Sequence, residues 1–244
     1  MNTDAQPGFV YLVGAGPGDP NLLTLRAANL LRTADIILPD DLVSDEVLEF
    51  VGLTAEIIPV GKRCGEPRIT QAGIHKLLLE HALAGRSVVR LKSGDPLVFG
   101  RAGEEIAALR EARIPFEVVP GISAAFAVAA NLQIPLTDRA SASKLILATA
   151  HHAAGKVELS PSWTGAFPDD ATLVIYMPGR DFGALANNLI SAGIPSETPC
   201  IAVSKATSAL QQVCPTILAT LHEAAIGPAP VVLLIGRAIK FAAS

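Results

Sequence analysis

Short apolar runs alternate along the chain with stretches in which Leu and Ala recur at helical spacing. Runs at Val10 to Val13, Ile36 to Leu38, Ile57 to Val60, Val88 to Leu91 and Phe116 to Val119 have strand length and β-branched character. Between them, Leu23, Ala27, Leu30 and Leu31 share one face of the segment from Leu22 to Leu31, and Ile74, Leu77, Leu78 and Leu83 mark a second amphipathic helix ending near Gly85. Apolar strands alternating with helices of this kind predict an α/β fold, the helices crossing over a parallel sheet. The pattern resets at the polar stretch IPLTDRASAS, after which come a strand at Leu145 to Thr149 and a loop holding Gly155, Pro161, Gly165 and Pro168. Further strands are expected at Thr172 to Tyr176, Cys200 to Val203 and Val231 to Ile235, and a helix near Asp181 to Ser191. The reading is two α/β domains, residues 1–138 and 139–244, with the active-site cleft expected between them.

Composition narrows the class. Half of the 244 residues are hydrophobic and 17% are charged, which excludes a disordered chain. Gly, Pro, Asp or Arg interrupts each apolar run well before a spanning helix is reached, so no membrane partner is expected. The start, MNTDAQPG, has no basic region of the kind that opens a signal peptide, and a cytoplasmic location is expected. Cys64, Cys200 and Cys214 have neither disulfide nor zinc-ligand spacing, so they read as plain thiols and no metal is expected. A net charge of −4 argues against nucleic acid as a partner while leaving room for a local basic cleft.

The segment VYLVGAGPGDP is a strand running into a glycine-rich turn and then a helix. Gly14, Gly16 and the later Asp40 suit a dinucleotide fold, in which the carboxylate would bind a ribose. The rest of the loop suits it poorly: Pro17 has no N–H for a pyrophosphate, and Asp19 adds negative charge where phosphates need donors. An adenosyl ligand without phosphates and with a cationic centre meets no such repulsion, and S-adenosyl-L-methionine has that chemistry. A tight turn with no ligand uses glycines in the same way, so the loop alone leaves both readings open.

A second loop repeats the arrangement. In VVRLKSGDPLVFGRAGEE a strand gives way to Ser93, Gly94, Asp95 and Pro96 and then to a glycine-bearing helix start. Both loops fall at carboxyl ends of strands, where open α/β sheets bind ligands. Taken in order, GAGPGDP, VGKRCG, RLKSGDPLVFGRAGEE, IPFEVVPGISAA and IPLTDR resemble the tetrapyrrole methylases, over about residues 9 to 237. VGKR followed by Gln71, together with FGRAGEE, resembles the members that act on uroporphyrinogen III.

The resemblance implies a homodimer of two-domain α/β chains, in the stand-alone form without a fused dehydrogenase or ferrochelatase. It implies transfer of two methyl groups from S-adenosyl-L-methionine to carbons 2 and 7 of uroporphyrinogen III. S-adenosyl-L-homocysteine and precorrin-2 would leave, the latter towards sirohaem or cobalamin. It assigns Pro17, Ser93, Gly94, Asp95, Ser123, Ala124, Met177 and Ala206 to the methyl donor. Ser93 departs from the family pattern, which has a glycine there. Two other readings stand beside this one: methylation of a later corrinoid such as precorrin-2 at carbon 20, and a non-catalytic sensor of S-adenosyl-L-methionine or a dinucleotide.

An octacarboxylate substrate calls for several cations in one place. Lys62, Arg63, Arg101 and Arg139 are the candidates for binding it, with Arg68 and Lys144 less specific. Arg101 and Glu104 stand three apart at a helix start and are the candidate catalytic pair, Arg101 anchoring substrate and Glu104 orienting it or serving as base. His75 and His81 read as helix-boundary residues, His151 and His152 as possible neighbours of the substrate, and the loop around Trp163 as a lid.

Overall fold

A computed structural model describes residues 4–61, 69–150 and 167–239. It divides the chain into two compact units, Met1–Ser123 and Ala124–Ser244. The first holds β1 (Val10–Gly14), α1 (Leu25–Thr33), β2 (Ile36–Pro39), α2 (Asp45–Leu48), β3 (Glu56–Ile57), α3 (Gln71–Leu83), β4 (Val88–Lys92), α4 (Ala102–Glu111) and β5 (Phe116–Val119). Its sheet runs in the order β3-β2-β4-β1-β5, every pair parallel, with Val10 opposite both Val88 and Phe116.

The apolar strands β1, β2 and β4 are buried throughout because both faces of the sheet are covered there. Alternation along β1 sends Val10 and Leu12 to the side of α3 and α4, against Ile74, Leu78 and Leu109. Tyr11 and Val13 go to the side of α1, against Ala27, Leu30 and Leu31. The helix expected from Leu22 begins instead at Leu25, because the Thr24 hydroxyl accepts from the Ala27 N–H at 3.1 Å and caps it there. Pro20–Leu22 ahead of it forms a separate 3₁₀ turn capped by Asp19. The α3 helix starts by the same device, the Thr70 hydroxyl accepting from the Gly73 N–H.

At the amino ends of β2 and β4, one Asp35 carboxylate oxygen accepts from both the Ser87 hydroxyl (2.6 Å) and the Ser87 N–H (2.8 Å). The hydroxyl bond first, and the N–H bond next, hold the Asp35 carboxyl below its ordinary value. Its folded value therefore lies below its unfolded one, and the stabilisation is complete above the ordinary value of 3.8 and lost as pH falls through the lower folded value. Asp35→Ala is expected to cost about 1 kcal/mol near neutrality. In urea titrations the gap between wild type and variant should close in acid; a gap independent of pH would show that Asp35 does not titrate with folding.

The second unit holds α5 (Ala124–Asn131), β6 (Lys144–Thr149), β7 (Ala171–Tyr176), α6 (Phe182–Ser191), β8 (Pro199–Ser204), β9 (Gln212–Ile217) and β10 (Val231–Ile235). Its sheet has the order β6-β7-β10-β8-β9 and is mixed: β6 and β7 are parallel, while β10 is antiparallel to β7 and β8, and β9 to β8. One face packs on α6 through Leu173, Ile175, Leu185 and Leu189.

The other face packs on α5 and the segment after it, Ala125, Val128, Ile134 and Leu136 meeting Val174, Ile201 and Leu234. This corrects the expected boundary at 138/139. The division falls before α5, because that helix buries its apolar side on the second sheet. No described helix is long and apolar enough to cross a membrane.

Candidate functional site

In the first unit the loops after β1, β4 and β5 meet at the carboxyl edge of the sheet. The Gly16 N–H donates to Gly94 O at 3.2 Å and the Gly94 N–H returns to Gly16 O at 2.7 Å. A Cβ built on Gly14 would lie 2.6 Å from backbone atoms of Gly121 and Gly94, and one on Gly121 would lie 2.2 Å from Gly94 O. Gly14 is thus required by the contact of three backbones, so its presence alone does not argue for a ligand. Gly16 and Gly94, at φ +72° and +67°, carry the left-handed turns. Ser93 is not among the residues with positive φ, so a side chain there is tolerated.

Asp95 fastens the cluster: Oδ1 accepts from the Leu97 N–H at 2.8 Å and Oδ2 from the Gly121 N–H at 3.1 Å. Pro17 and Asp95 are half-buried here and Ser123 is buried. Five of the residues assigned to the methyl donor, Pro17, Ser93, Gly94, Asp95 and Ser123, are therefore gathered around one set of touching loops.

The loop continues into α4 by an unusual path. Phe99 and Arg101 have φ +53° and +56°, a region that residues with a side chain seldom adopt. Arg113 and Gln133 share this conformation but follow helix ends, where it is ordinary. Strain of this kind gathers at functional segments. Arg101 grips Glu104 with two parallel bonds, Nε to Oε1 at 2.8 Å and Nη2 to Oε2 at 2.7 Å, both side chains about half exposed. The bond raises the Arg101 guanidinium above its ordinary value and lowers the Glu104 carboxyl. A carboxylate held in this way is a weaker base, so the geometry favours Glu104 as the residue that orients Arg101.

Beneath α4 lies a group of charges that sequence reasoning missed. Arg90 and Glu105 are 2% and 0% exposed, and Lys92 is 2% exposed. Arg90 Nε donates to Glu105 Oε1 at 3.0 Å, its Nη1 to Leu38 O at 3.0 Å, and its Nη2 pairs with Asp40. Lys92 Nζ lies 3.2 Å from Glu105 Oε1 and 3.0 Å from Oε2. Burial, and then the neighbouring Arg90 charge, lower the Lys92 ammonium from its ordinary value. Gln71 of α3 adds an amide donor to Glu105 at 3.4 Å and touches His75 Nε2 at 3.2 Å.

Asp40, the carboxylate that would bind a ribose in a dinucleotide fold, is paired here with Arg90. The signal was present in VVRLK: two cations two residues apart share one face of an apolar strand, and buried cations require buried anions.

In the second unit, β7 and β8 both run against β10, so their carboxyl ends open on the same sheet edge. Met177 follows β7 at φ +48°, exposed, and Ala206 follows β8 between Lys205 and Thr207 at φ +48° and +61°. The Ala125 N–H donates to the Tyr176 hydroxyl at 3.3 Å, tying the start of α5, with Ala124, to the end of β7. Arg139 stands exposed at a tight turn in which Asp138 Oδ1 accepts from the Ala140 and Ser141 N–H groups. Lys144 is engaged by Asp170 in an exposed pair. Lys62, Arg63, Cys64, Arg68, His151, His152 and Trp163 lie outside the described residues.

Two α/β units, the first with glycine loops meeting at the carboxyl edge of a parallel sheet, define the class, and the sequence pattern of the tetrapyrrole (corrin/porphyrin) methylases matches residues 10–222. The chain belongs to that family. It is 44% identical to the S-adenosyl-L-methionine-dependent uroporphyrinogen III methyltransferase, chloroplastic, of Arabidopsis thaliana, over 97% of this chain and 65% of that one. It is 42% identical to the uroporphyrinogen-III C-methyltransferase of Paracoccus denitrificans, over 96% of this chain and 83% of the other. The crystal structure of the Thermus thermophilus uroporphyrin-III C-methyltransferase complexed with S-adenosyl homocysteine superposes with a TM-score of 0.77 at 35% identity, covering 95% of this chain and 93% of that one. The chain thus spans slightly under two thirds of the plant relative, and about half or less of the siroheme synthases it also matches.

Proposed function

We infer that the chain methylates uroporphyrinogen III at carbons 2 and 7, taking both methyl groups from S-adenosyl-L-methionine and releasing precorrin-2 and S-adenosyl-L-homocysteine. The observation that carries this reading is the Arg101–Glu104 pair, presented half-exposed from the segment that also carries Ser93, Gly94 and Asp95, in a chain so similar to enzymes named for that reaction. The loops fit a donor without phosphates. Pro17 has no N–H to offer, and the Asp19 carboxylate faces its own 3₁₀ turn, accepting from the Asn21 N–H at 2.8 Å. The residues proposed for the donor are Pro17, Ser93, Gly94, Asp95, Ser123, Ala124, Met177 and Ala206.

When bound, the donor supplies a methyl group on a sulfonium, already a good leaving group. The protein therefore contributes chiefly placement, holding the nucleophilic pyrrole carbon in line with the methyl group at about 3–3.5 Å with water excluded. The new C–C bond forms as the S–C bond breaks, and the ring then loses a proton. Arg101 anchors a substrate carboxylate. Its Nε and Nη2 are engaged by Glu104, which leaves Nη1 donors directed elsewhere. Lys62, Arg63 and Arg139 add further cations for an eightfold anion. The protein works as a cytoplasmic homodimer, and sedimentation as a monomer at micromolar concentration would refute the dimer.

The test is anaerobic incubation with S-adenosyl-L-methionine and freshly generated uroporphyrinogen III, the product read by mass. A gain of two methyl groups is expected. Donor binding without methyl transfer would overturn the substrate assignment and direct the assay to later corrinoids.

A further inference from the structure

The first turn of α4 lacks the usual fastening. Its N-cap residue, Arg101, is in the left-handed conformation and makes no side-chain cap bond. What holds the turn down is Glu105, the residue after Glu104, whose carboxylate points the other way into the Lys92–Arg90 pair and is fully buried. The Lys92 stem also lies directly under the turn: a Cβ built on Gly100 would come within 3.2 Å of Lys92 Cε and 2.8 Å of Pro96 O.

Arg90 has structural work of its own, spanning Leu38 O, Leu91 O and Asp40 as well as Glu105. Among the described residues the Lys92 ammonium makes its direct hydrogen-bond and ion-pair contacts with Glu105 alone. A methionine would fill the same space without the desolvation cost of a buried ammonium, so stability does not call for the charge. Fixing the position of Glu105, and with it the register of the turn, does.

We propose that Lys92 is a positioning residue for methyl transfer, holding the Phe99–Glu105 turn through Glu105 and Gly100 so that Arg101 and Glu104 are presented to substrate in one fixed arrangement. This rests on the reading of Arg101 as the substrate anchor. Lys92 touches no substrate itself; it acts through the turn.

The experiment uses the full chain with Lys92→Met, Arg101→Ala and the double variant. It measures kcat, KM for uroporphyrinogen III and for S-adenosyl-L-methionine, and native-state trypsin cleavage after Arg101. Lys92→Met is expected to fold and to lose about 10- to 100-fold in kcat, the scale of a misplacement near 1 Å, with KM for S-adenosyl-L-methionine unchanged. It should add no further loss to Arg101→Ala, and Lys92→Arg should restore most of the rate. Cleavage after Arg101 should quicken about tenfold as the turn opens more often.

A folded Lys92→Met protein with wild-type kcat and wild-type cleavage overturns the proposal, and so does a loss fully additive with Arg101→Ala. If Arg101→Ala alone leaves the rate unchanged, the anchoring role of Arg101 falls, while cleavage after Arg101 still decides whether Lys92 holds the turn. Should Lys92→Met fail to fold, Lys92→Met with Glu105→Gln leaves Arg90 balanced by Asp40 and is read by the same measurements, with the same expected losses.

Discussion

Arg101→Ala is expected to lose about 100-fold or more in kcat while binding S-adenosyl-L-methionine as tightly as the wild type. Truncating one side of a buried hydrogen-bonded charge pair costs about 2–5 kcal/mol, the case for Arg101 once substrate covers it, and each 1.36 kcal/mol is a tenfold change in rate. The residues that gather around the glycine loops do not include Arg101, so calorimetry with S-adenosyl-L-methionine should be unaffected. Glu104→Gln should follow in the same direction by a smaller factor, because it keeps the shape of the pair and loses its charge. An unchanged rate for Arg101→Ala would remove the residue from the site and leave the bidentate pair as surface structure.

The second large effect falls on stability. Glu105→Leu leaves Arg90 and Lys92 buried with Asp40, itself partly exposed, as the one remaining anion of the group. Breaking a buried pair from one side costs about 3–5 kcal/mol. For a chain of this size that lowers the midpoint of thermal unfolding by roughly 10 °C, at about 2–4 °C per kcal/mol. The loss should appear in the transition of the first unit, and the denaturant midpoint should fall without a change in slope.

Adding Lys92→Met should recover part of the loss by removing one of the stranded cations. The pair is not ideal even in the wild type. Glu105 Oε2 lies 3.0 Å from Lys92 Nζ but makes no aligned hydrogen bond, so charge alone holds it. A Glu105→Leu protein within about 1 kcal/mol of wild type would mean that the cations reach water by local opening.

The two predictions separate the outward and inward sides of one helical turn. Arg101 and Glu104 are half-exposed and are the pair proposed to face substrate, whereas Glu105 is buried and engages Lys92 and Arg90. Consecutive residues at a helix start point in different directions, so one short segment serves both purposes.

Much of this was legible along the chain. Apolar runs such as VYLV and amphipathic stretches such as Ile74 to Leu83 determine strands and helices locally, since burial of one face is a matter of period. The three-residue spacing of Arg101 and Glu104 placed them together for the same reason, and the order of the motifs determined the family.

The tertiary structure decided what depends on partners distant in sequence. The Arg90 contact with Asp40 bridges 50 residues, and the Lys92 contact with Glu105 bridges 13. No local period encodes such pairing: VVRLK carries two cations on one strand face, but only the folded sheet shows which anions meet them. The assignment of α5 to the second unit, the left-handed turns at Phe99 and Arg101, and the demand for glycine at Gly14 and Gly121 have the same origin. Each is set by which surfaces meet in three dimensions, and that free energy belongs to the contact between segments, not to either segment alone.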